Sequence, residues 1–341
     1  MKERDSNIEL LRIIATLFIL VTHCNGWFLR EWGSITSWNT GGYMVGVCRV
    51  LIQNISCLGV DIFVLISGFY GIRPKVKSIV NLFTLLLFFY VGCYCWDCYL
   101  GNDTFTFAGL MANTAAFSRE NWFINSYIFL MLLSPLVNAF VDKESPKTIA
   151  LYIVIFAVLT LYFGCYRSNP YWYYNWGYSV TMMLNVYLVG RVLGKCKEQL
   201  RSVKYVYLVF IFVFLIGLMS VVRLISSNEE VWLHYGSPLT ICASCTCFLL
   251  FYRLPTFHSG IVNWIGKSCL ACFILHVCNP VFDWLVQKDI LYFTSYSFPI
   301  YCIKISVAIL GVFVAAILLD KVRLFVFKPL IELSGKIKVS K

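Results

Sequence analysis

Ten predominantly apolar runs divide this chain almost from end to end, each near the roughly 20 residues a helix needs to cross a bilayer. They lie at about 8–29, 43–72, 78–97, 122–141, 148–166, 176–194, 204–225, 233–252, 264–287 and 299–326. In lipid every backbone N–H and C=O must be satisfied within the segment, so these runs predict an all-α, polytopic membrane helix bundle. The breaks between them carry turn chemistry at Arg73-Pro74, Asp142–Pro146, Ser168-Asn169-Pro170, Ser226-Ser227-Asn228 and Leu254-Pro255. Composition excludes the soluble alternative. With 60% hydrophobic and 13% charged residues, a soluble chain of 341 residues would lack the polar surface its size requires.

The formal charge of +11 would suggest nucleic acid in a soluble protein. Here the positive-inside rule accounts for it, so no nucleic-acid partner is expected. With the N-terminus cytoplasmic, twenty Lys and Arg fall on inner segments and seven on outer ones. The inner set includes Arg73, Lys75, Lys77 and the Arg191–Lys204 cluster. The outer set is Arg30, Arg49, Arg119, Arg167, Arg223, Lys288 and Lys304. Ten spans then put both termini in the cytoplasm of a multi-pass cell (inner or plasma) membrane protein. The first run carries His23 and is not followed by a small-x-small cleavage pattern, so it is expected to be retained. The longest loop, about 98–121, is too short to fold alone. Residues 1–341 therefore read as one membrane-embedded domain.

Of fifteen cysteines, most sit inside apolar runs, where they serve as small apolar side chains. Cys95 and Cys98 form one C-x-x-C beside Cys93, but no second pair at metal spacing accompanies it, so no metal site is expected.

Ionisable residues at membrane depth usually face the bundle interior and often mark function. Arg12 and His23 bracket ten mostly apolar residues. Eleven helical steps come within about 20° of whole turns, so both side chains share a face, about 16.5 Å apart along the axis. Thr16 lies on the same stripe. A snorkelling anchor paired to Glu9 is the packing reading of Arg12, and a satisfied interface histidine that of His23. Asp61 lies deep in the second run, among Gly59, Gly68 and Gly71. A carboxylate there must be neutral, paired or facing a wet cavity. His276 precedes Asp283 by seven residues, which on a continuous helix suits either a His–Asp relay or a histidine bonding across helices.

Four segments, in order, resemble the acyltransferase-3 family of integral membrane acyltransferases that modify surface glycans. They are RIIATLFILVTH (Arg12–His23), GVDIFVLISGFYGIR (Gly59–Arg73), WFINSYIFLMLLSPLVN (Trp122–Asn138) and IVNWIGKSCLACFILHVCNP (Ile261–Pro280). Many members carry paired arginines after the second-span glycines, where this chain has Arg73, Lys75 and Lys77. The resemblance implies an acyl-CoA donor, most often acetyl-CoA, with no permanently bound cofactor, and a sugar hydroxyl as acceptor. Arg12, Arg73, Lys75 and Lys77 would hold the polyanionic donor. His23 would act as general base, with Asp61 orienting it or stabilising the imidazolium. An acyl-histidine intermediate is the second route. Trp122, Tyr127 and His276 would contact acceptor, although aromatics at an interface are also ordinary belt residues. The rival classes are a transporter or flippase for a glycan or small metabolite, and an assembly subunit whose buried charges only fix packing.

Overall fold

The computed structural model describes residues 5–27, 42–114, 122–163, 177–225 and 233–337. Parts of the expected spans at 28–29, 164–166 and 176 lie outside these residues, as do loop positions 115–121 and the breaks at 168–170 and 226–228. So do the charges Lys2, Arg4, Arg30, Arg119, Arg167, Lys338 and Lys341. The described residues form helices and no strand.

In chain order these are α1 (Ser6–Thr22), α2 (Tyr43–Ser56), α3 (Gly59–Tyr70), α4 (Val76–Tyr99) and α5 (Phe107–Thr114). Then come α6 (Trp122–Lys143), α7 (Pro146–Leu161), α8 (Val180–Lys195), α9 (Lys197–Ser202) and α10 (Tyr205–Ile225). Last are α11 (Pro238–Tyr252), α12 (Gly260–Gly266), α13 (Cys269–His276), α14 (Asn279–Ser295), α15 (Phe298–Val326) and α16 (Lys328–Ser334). Each of the ten expected runs thus contains helix. Among the described residues, six helices are long and apolar enough to cross a membrane: Ser6–Gly26, Tyr43–Tyr70, Val76–Tyr99, Trp122–Lys143, Tyr205–Ile225 and Phe298–Val326. Gly260–His276 with Asn279–Ser295 makes a seventh only if that pair, bent by 81°, counts as one span. Pro146–Leu161 and Pro238–Tyr252 are apolar but shorter. The protein is a multi-pass, all-helical membrane protein. Its outward faces agree: α10 exposes Val206, Phe210, Val213 and Phe214, and α15 exposes Ile303, Val307, Leu310 and Val314. Apolar stripes of that length mark a lipid-facing surface.

Two helices begin on the same local signal. Ser145-Pro146-Lys147-Thr148 and Ser237-Pro238-Leu239-Thr240 each place serine at the N-cap and proline at the first helical position. Each serine hydroxyl accepts the N–H of the threonine three residues on, at 3.2 Å. Pro costs no donor there, and the hydroxyl satisfies one orphan N–H. The eighth expected run therefore starts as helix only at Pro238, and residues 233–237 form a turn outside it.

The helices gather into two compact units, residues 1–73 with 122–266, and 74–121 with 267–341. In the first, α3 lies against α8 at backbone contact. A Cβ on Gly190 would meet the Leu65 carbonyl oxygen at 2.7 Å and Gly68 Cα at 2.9 Å. One on Gly194 would meet the Phe69 carbonyl oxygen at 2.5 Å. Gly190 and Gly194 form a small-x-x-x-small step, the device that lets helices in lipid approach closely enough for dispersion to hold them. Gly190→Leu is expected to destabilise the first unit by about 1–3 kcal/mol, since α3 must move away. The check is loss of folded protein in membranes, with Gly217→Leu, on the open face of α10, as the unaffected control.

In the second unit, α4 packs with α13 to α16. Arg323 is its polar clamp. Nε donates to Asp320 Oδ1 at 2.7 Å, and Nη1 donates to Asn81 Oδ1 at 3.0 Å and Thr84 Oγ1 at 2.9 Å. Asp320 also accepts from Ser268, which in turn accepts from Lys321 at 2.7 Å. A buried charge is tolerated when its donors are filled in this way.

Candidate functional site

The site is built on α1, whose two ends are each tied down. At its start, Asn7 Nδ2 donates to the Leu254 and Pro255 carbonyls at 2.9 and 3.0 Å, and Ser6 Oγ donates to Asn263 at 3.0 Å. At its far end, Gln53 Nε2 donates to Thr22 Oγ1 at 2.8 Å, and Asn25 Nδ2 donates to the Arg49 carbonyl at 2.9 Å. Arg49 Nη2 returns a bond to the Asn25 carbonyl at 3.3 Å. A second link joins α2 to α10: Arg223 Nε donates to Asn54 Oδ1, and Asn54 Nδ2 donates to Ser220 Oγ, both at 2.9 Å. Arg49 and Arg223 are therefore buried bundle residues, where the charge count expected outer-segment cations. Arg323, counted on the inner side, is buried likewise. Cations near the ends of apolar runs look like loop charges in sequence, and only packing separates the two cases.

Arg12 projects from the second turn of α1. Its guanidinium lies 3.7 Å from Glu9 Oε2, the pair expected one turn back. It also sits 5.9 Å over the Phe63 ring. The side chain is 24% exposed, and its buried Nε has no partner among the described residues. The Thr16 hydroxyl donates to the Arg12 carbonyl at 2.9 Å. His23 follows the last α-helical residue and opens a single π-turn, His23–Trp27. Its own backbone is still right-handed helical. The face shared with Arg12 is thus preserved, and the helix widens immediately beyond. Wide turns of this kind are frequent at functional sites.

Asp61 lies in the first turn of α3, just past the break at Cys57 and Leu58. Gly59 meets α1 there: a Cβ on it would stand 2.6 Å from the Ala15 carbonyl oxygen. Gly59 thus permits close packing of α3 on α1. Asp61 is 0% exposed, and neither carboxylate oxygen makes a hydrogen bond. The buried hydroxyl of Ser244 on α11 lies near enough to act on it electrostatically but makes no hydrogen bond either. Among the described residues no hydrogen bond joins Asp61 to His23. A helix N-terminus favours a nearby negative charge, which eases the cost of this carboxylate only in part.

A chain of rings leads away from Arg12. Phe63 meets Phe123 edge-on at 6.3 Å, and Phe123 stacks on Tyr127 at 6.0 Å and meets Trp122 at 5.8 Å. Trp122 meets Tyr178 at 5.0 Å and stacks on Tyr235 at 5.8 Å. Arg12, Asp61, Trp122 and Tyr127 therefore belong to one unit, and Phe63, Phe123 and Tyr235 are members that sequence reasoning missed. Aromatic residues are so common here, 17% of the chain, that no spacing singled them out.

Arg73, Lys75 and Lys77 are exposed around the end of α3 and the start of α4. Tyr187 and Asn138 hold the chain next to Arg73. The Tyr187 hydroxyl accepts the Ile72 N–H at 2.9 Å and donates to Asn138 Oδ1 at 2.8 Å, and Asn138 Nδ2 donates to the Ile72 carbonyl at 2.8 Å. Arg191 pairs with Asp142 at 2.9 Å, and Lys195 caps the end of α6 through the carbonyls of Val141 and Glu144. Part of the expected phosphate-attracting cluster thus serves a helix C-terminus.

His276 lies in the second unit, as the last residue of α13, fully buried, with Nδ1 3.2 Å from the Cys272 carbonyl. The helix breaks at Val277 and Cys278, and Pro280 opens α14. The 81° bend between them removes the shared face with Asp283, which assumed an unbroken helix. Among the described residues no group of three or more His, Cys, Asp or Glu is arranged to hold a metal.

A polytopic helical membrane protein with a cation–histidine face on its first helix, and on α3 a buried carboxylate that makes no hydrogen bond among the described residues, is thus defined. The acyltransferase domain family model (acyltransferase-3) matches residues 5–319, nearly the whole chain. The chain belongs to that family. Comparison with curated proteins and with solved structures returned no match.

Proposed function

We propose that this protein is a multi-pass O-acyltransferase of the cell (inner or plasma) membrane. It moves an acyl group, acetyl in the first instance, from cytoplasmic acyl-CoA to a hydroxyl of a cell-surface glycan or its lipid-linked precursor. In this reading the chain crosses ten times, both termini are cytoplasmic, and the shorter helices complete the count. The observation that carries the reading is α1: a continuous helix presents Arg12 and His23 on one face, and the neighbouring α3 carries the buried Asp61. Arg12, with Arg73, Lys75 and Lys77, draws in the donor's phosphates, and the pantetheine arm follows the helix towards His23. His23 takes the proton of the acceptor hydroxyl as that oxygen attacks the thioester carbonyl. The carbon–sulfur bond breaks, and CoA leaves as the thiol once protonated. Asp61 stabilises the imidazolium through the field of the site. Trp122 and Tyr127 line the acceptor side.

The test compares surface glycans by mass from cells with and without the protein. One lost acyl increment per repeat is expected, and unchanged masses would reject the reading. Arg12→Ala is expected to raise the KM for acetyl-CoA about tenfold, the cost of a charge-assisted contact, with glycan KM unchanged. Steady-state CoA release checks both. The α13–α14 break favours a second reading, since discontinuous helices line transporter sites. Acceptor flux without CoA release would select it.

A further inference from the structure

One of the chain's four histidines, His234, was not singled out by spacing or resemblance. It sits in the turn between α10 and α11 and is 9% exposed. Its Nδ1 accepts the Gly236 N–H at 3.0 Å. In a neutral imidazole that places the ring proton on Nε2. Burial lowers the His234 pKa to about 4, so the ring stays neutral at physiological pH. Nε2 is then a buried donor, and it has no partner among the described residues.

A second orphan lies against the same turn. Thr160 near the end of α7 is 0% exposed, and its hydroxyl has no partner either. Several helical hydroxyls in this unit bond back one turn: Thr16 to the Arg12 carbonyl, Ser67 to Phe63 and Thr246 to Cys242. Thr160 forgoes that bond. Gly236 brings the two groups together, since a Cβ there would lie 2.9 Å from Thr160 Cγ2 and 3.2 Å from His234 Cε1. Gly177, at φ 81°, closes the other side, where a Cβ would lie 2.9 Å from His234 Nδ1. Only glycine takes that backbone conformation without strain. Next in sequence, Tyr235 stacks on Trp122.

We propose that His234 Nε2–H and the Thr160 hydroxyl form a hydrogen-bonding subsite for one hydroxyl of the acceptor sugar. This rests on the acyltransferase reading above. The chemistry of the pair selects the ligand class. A sugar hydroxyl accepts from Nε2–H and donates to Thr160 Oγ1, filling both orphans at once. A phosphate or carboxylate would find no cation in the pair, which excludes the donor's nucleotide end. Tyr235, the next residue after His234, stacks on Trp122, so the turn carrying His234 adjoins the residues expected on the acceptor side. Both side chains position acceptor, and neither exchanges a proton with it.

The test uses the purified full-length protein, acetyl-CoA, and envelope glycan from cells lacking the protein, stripped of ester-linked acyl groups by alkali. His234→Ala and the isosteric Thr160→Val are each expected to raise the glycan KM about tenfold, with acetyl-CoA KM within about twofold of wild type. The double variant should be no worse than the weaker single, because both groups hold one hydroxyl. His234→Gln, which keeps a side-chain N–H, should recover most of the affinity. Unchanged glycan KM in Thr160→Val, including the case where only thermal stability falls, overturns the subsite in favour of an internal water. Equal shifts in both KM values overturn it too. A glycan-induced rise in melting temperature is read in parallel. If the wild type releases no CoA, the enzyme reading fails by itself. The subsite then stands only if glycan stabilises wild type and not Thr160→Val, and it falls if both or neither respond.

Discussion

Replacing His23 by alanine is expected to lower acyl transfer by about 10²–10⁴-fold, the usual contribution of a general base, while membrane abundance stays near wild type. His23 ends the α-helical part of α1 and is half-buried. The anchoring on either side runs through its neighbours Thr22 and Asn25. Removing the imidazole leaves the Thr22 and Asn25 bonds in place. His23→Gln, which keeps bulk and hydrogen bonding but not basicity, should be equally inactive. Both variants should leave the KM for acetyl-CoA near wild type, because the donor's charges are held a helix length away at Arg12. Acylated glycan at wild-type levels from an abundant His23→Ala protein would remove His23 from the reaction. Loss of abundance in step with activity would support the assembly-subunit reading instead.

Asp61→Asn is expected to separate stability from activity. A buried carboxylate without a hydrogen bond is costly in either protonation state, since the ion lacks a counter-charge and the acid lacks an acceptor. The Ser244 hydroxyl on α11 is the neighbour that acts on it, and an amide can meet that hydroxyl as well. The amide is isosteric, so Asp61→Asn should leave the melting temperature unchanged or raise it. Activity should fall about 10²-fold if the charge stabilises an imidazolium formed during transfer, a field effect of the order of 2–3 kcal/mol. Wild-type activity in Asp61→Asn would show that the charge has no catalytic part. A folding defect would show instead that Asp61 has a structural partner in the membrane.

These two residues also show how far sequence alone reaches. Arg12 and His23 were legible because eleven steps on one regular helix fix their relation, whatever packs around them. Asp61 was legible as an anomaly, a charge among apolar neighbours, but its surroundings were not. Whether such a carboxylate is paired depends on side chains nearly two hundred residues away, as Ser244 illustrates. His276 and Asp283 failed for the opposite reason. Their relation assumed an unbroken helix, and the chain turns by 81° at Val277 and Cys278, where Pro280 opens a new segment. His234 left no signal, because a histidine in a turn between apolar helices is ordinary until its hydrogen bonds are counted.

By itself the sequence determined what the bilayer dictates: a helical chain, helix within each of its apolar runs, and the face shared by Arg12 and His23. Each follows from a local rule, length against bilayer thickness or 100° per residue. Tertiary structure alone decided the rest. It made Arg49, Arg223 and Arg323 buried struts, set α3 on α8 at glycine contact, and left Asp61, Thr160 and His234 with buried polar atoms that make no hydrogen bond among the described residues. Whether a polar group is satisfied depends on atoms distant in sequence that only packing brings within 3 Å or leaves beyond it.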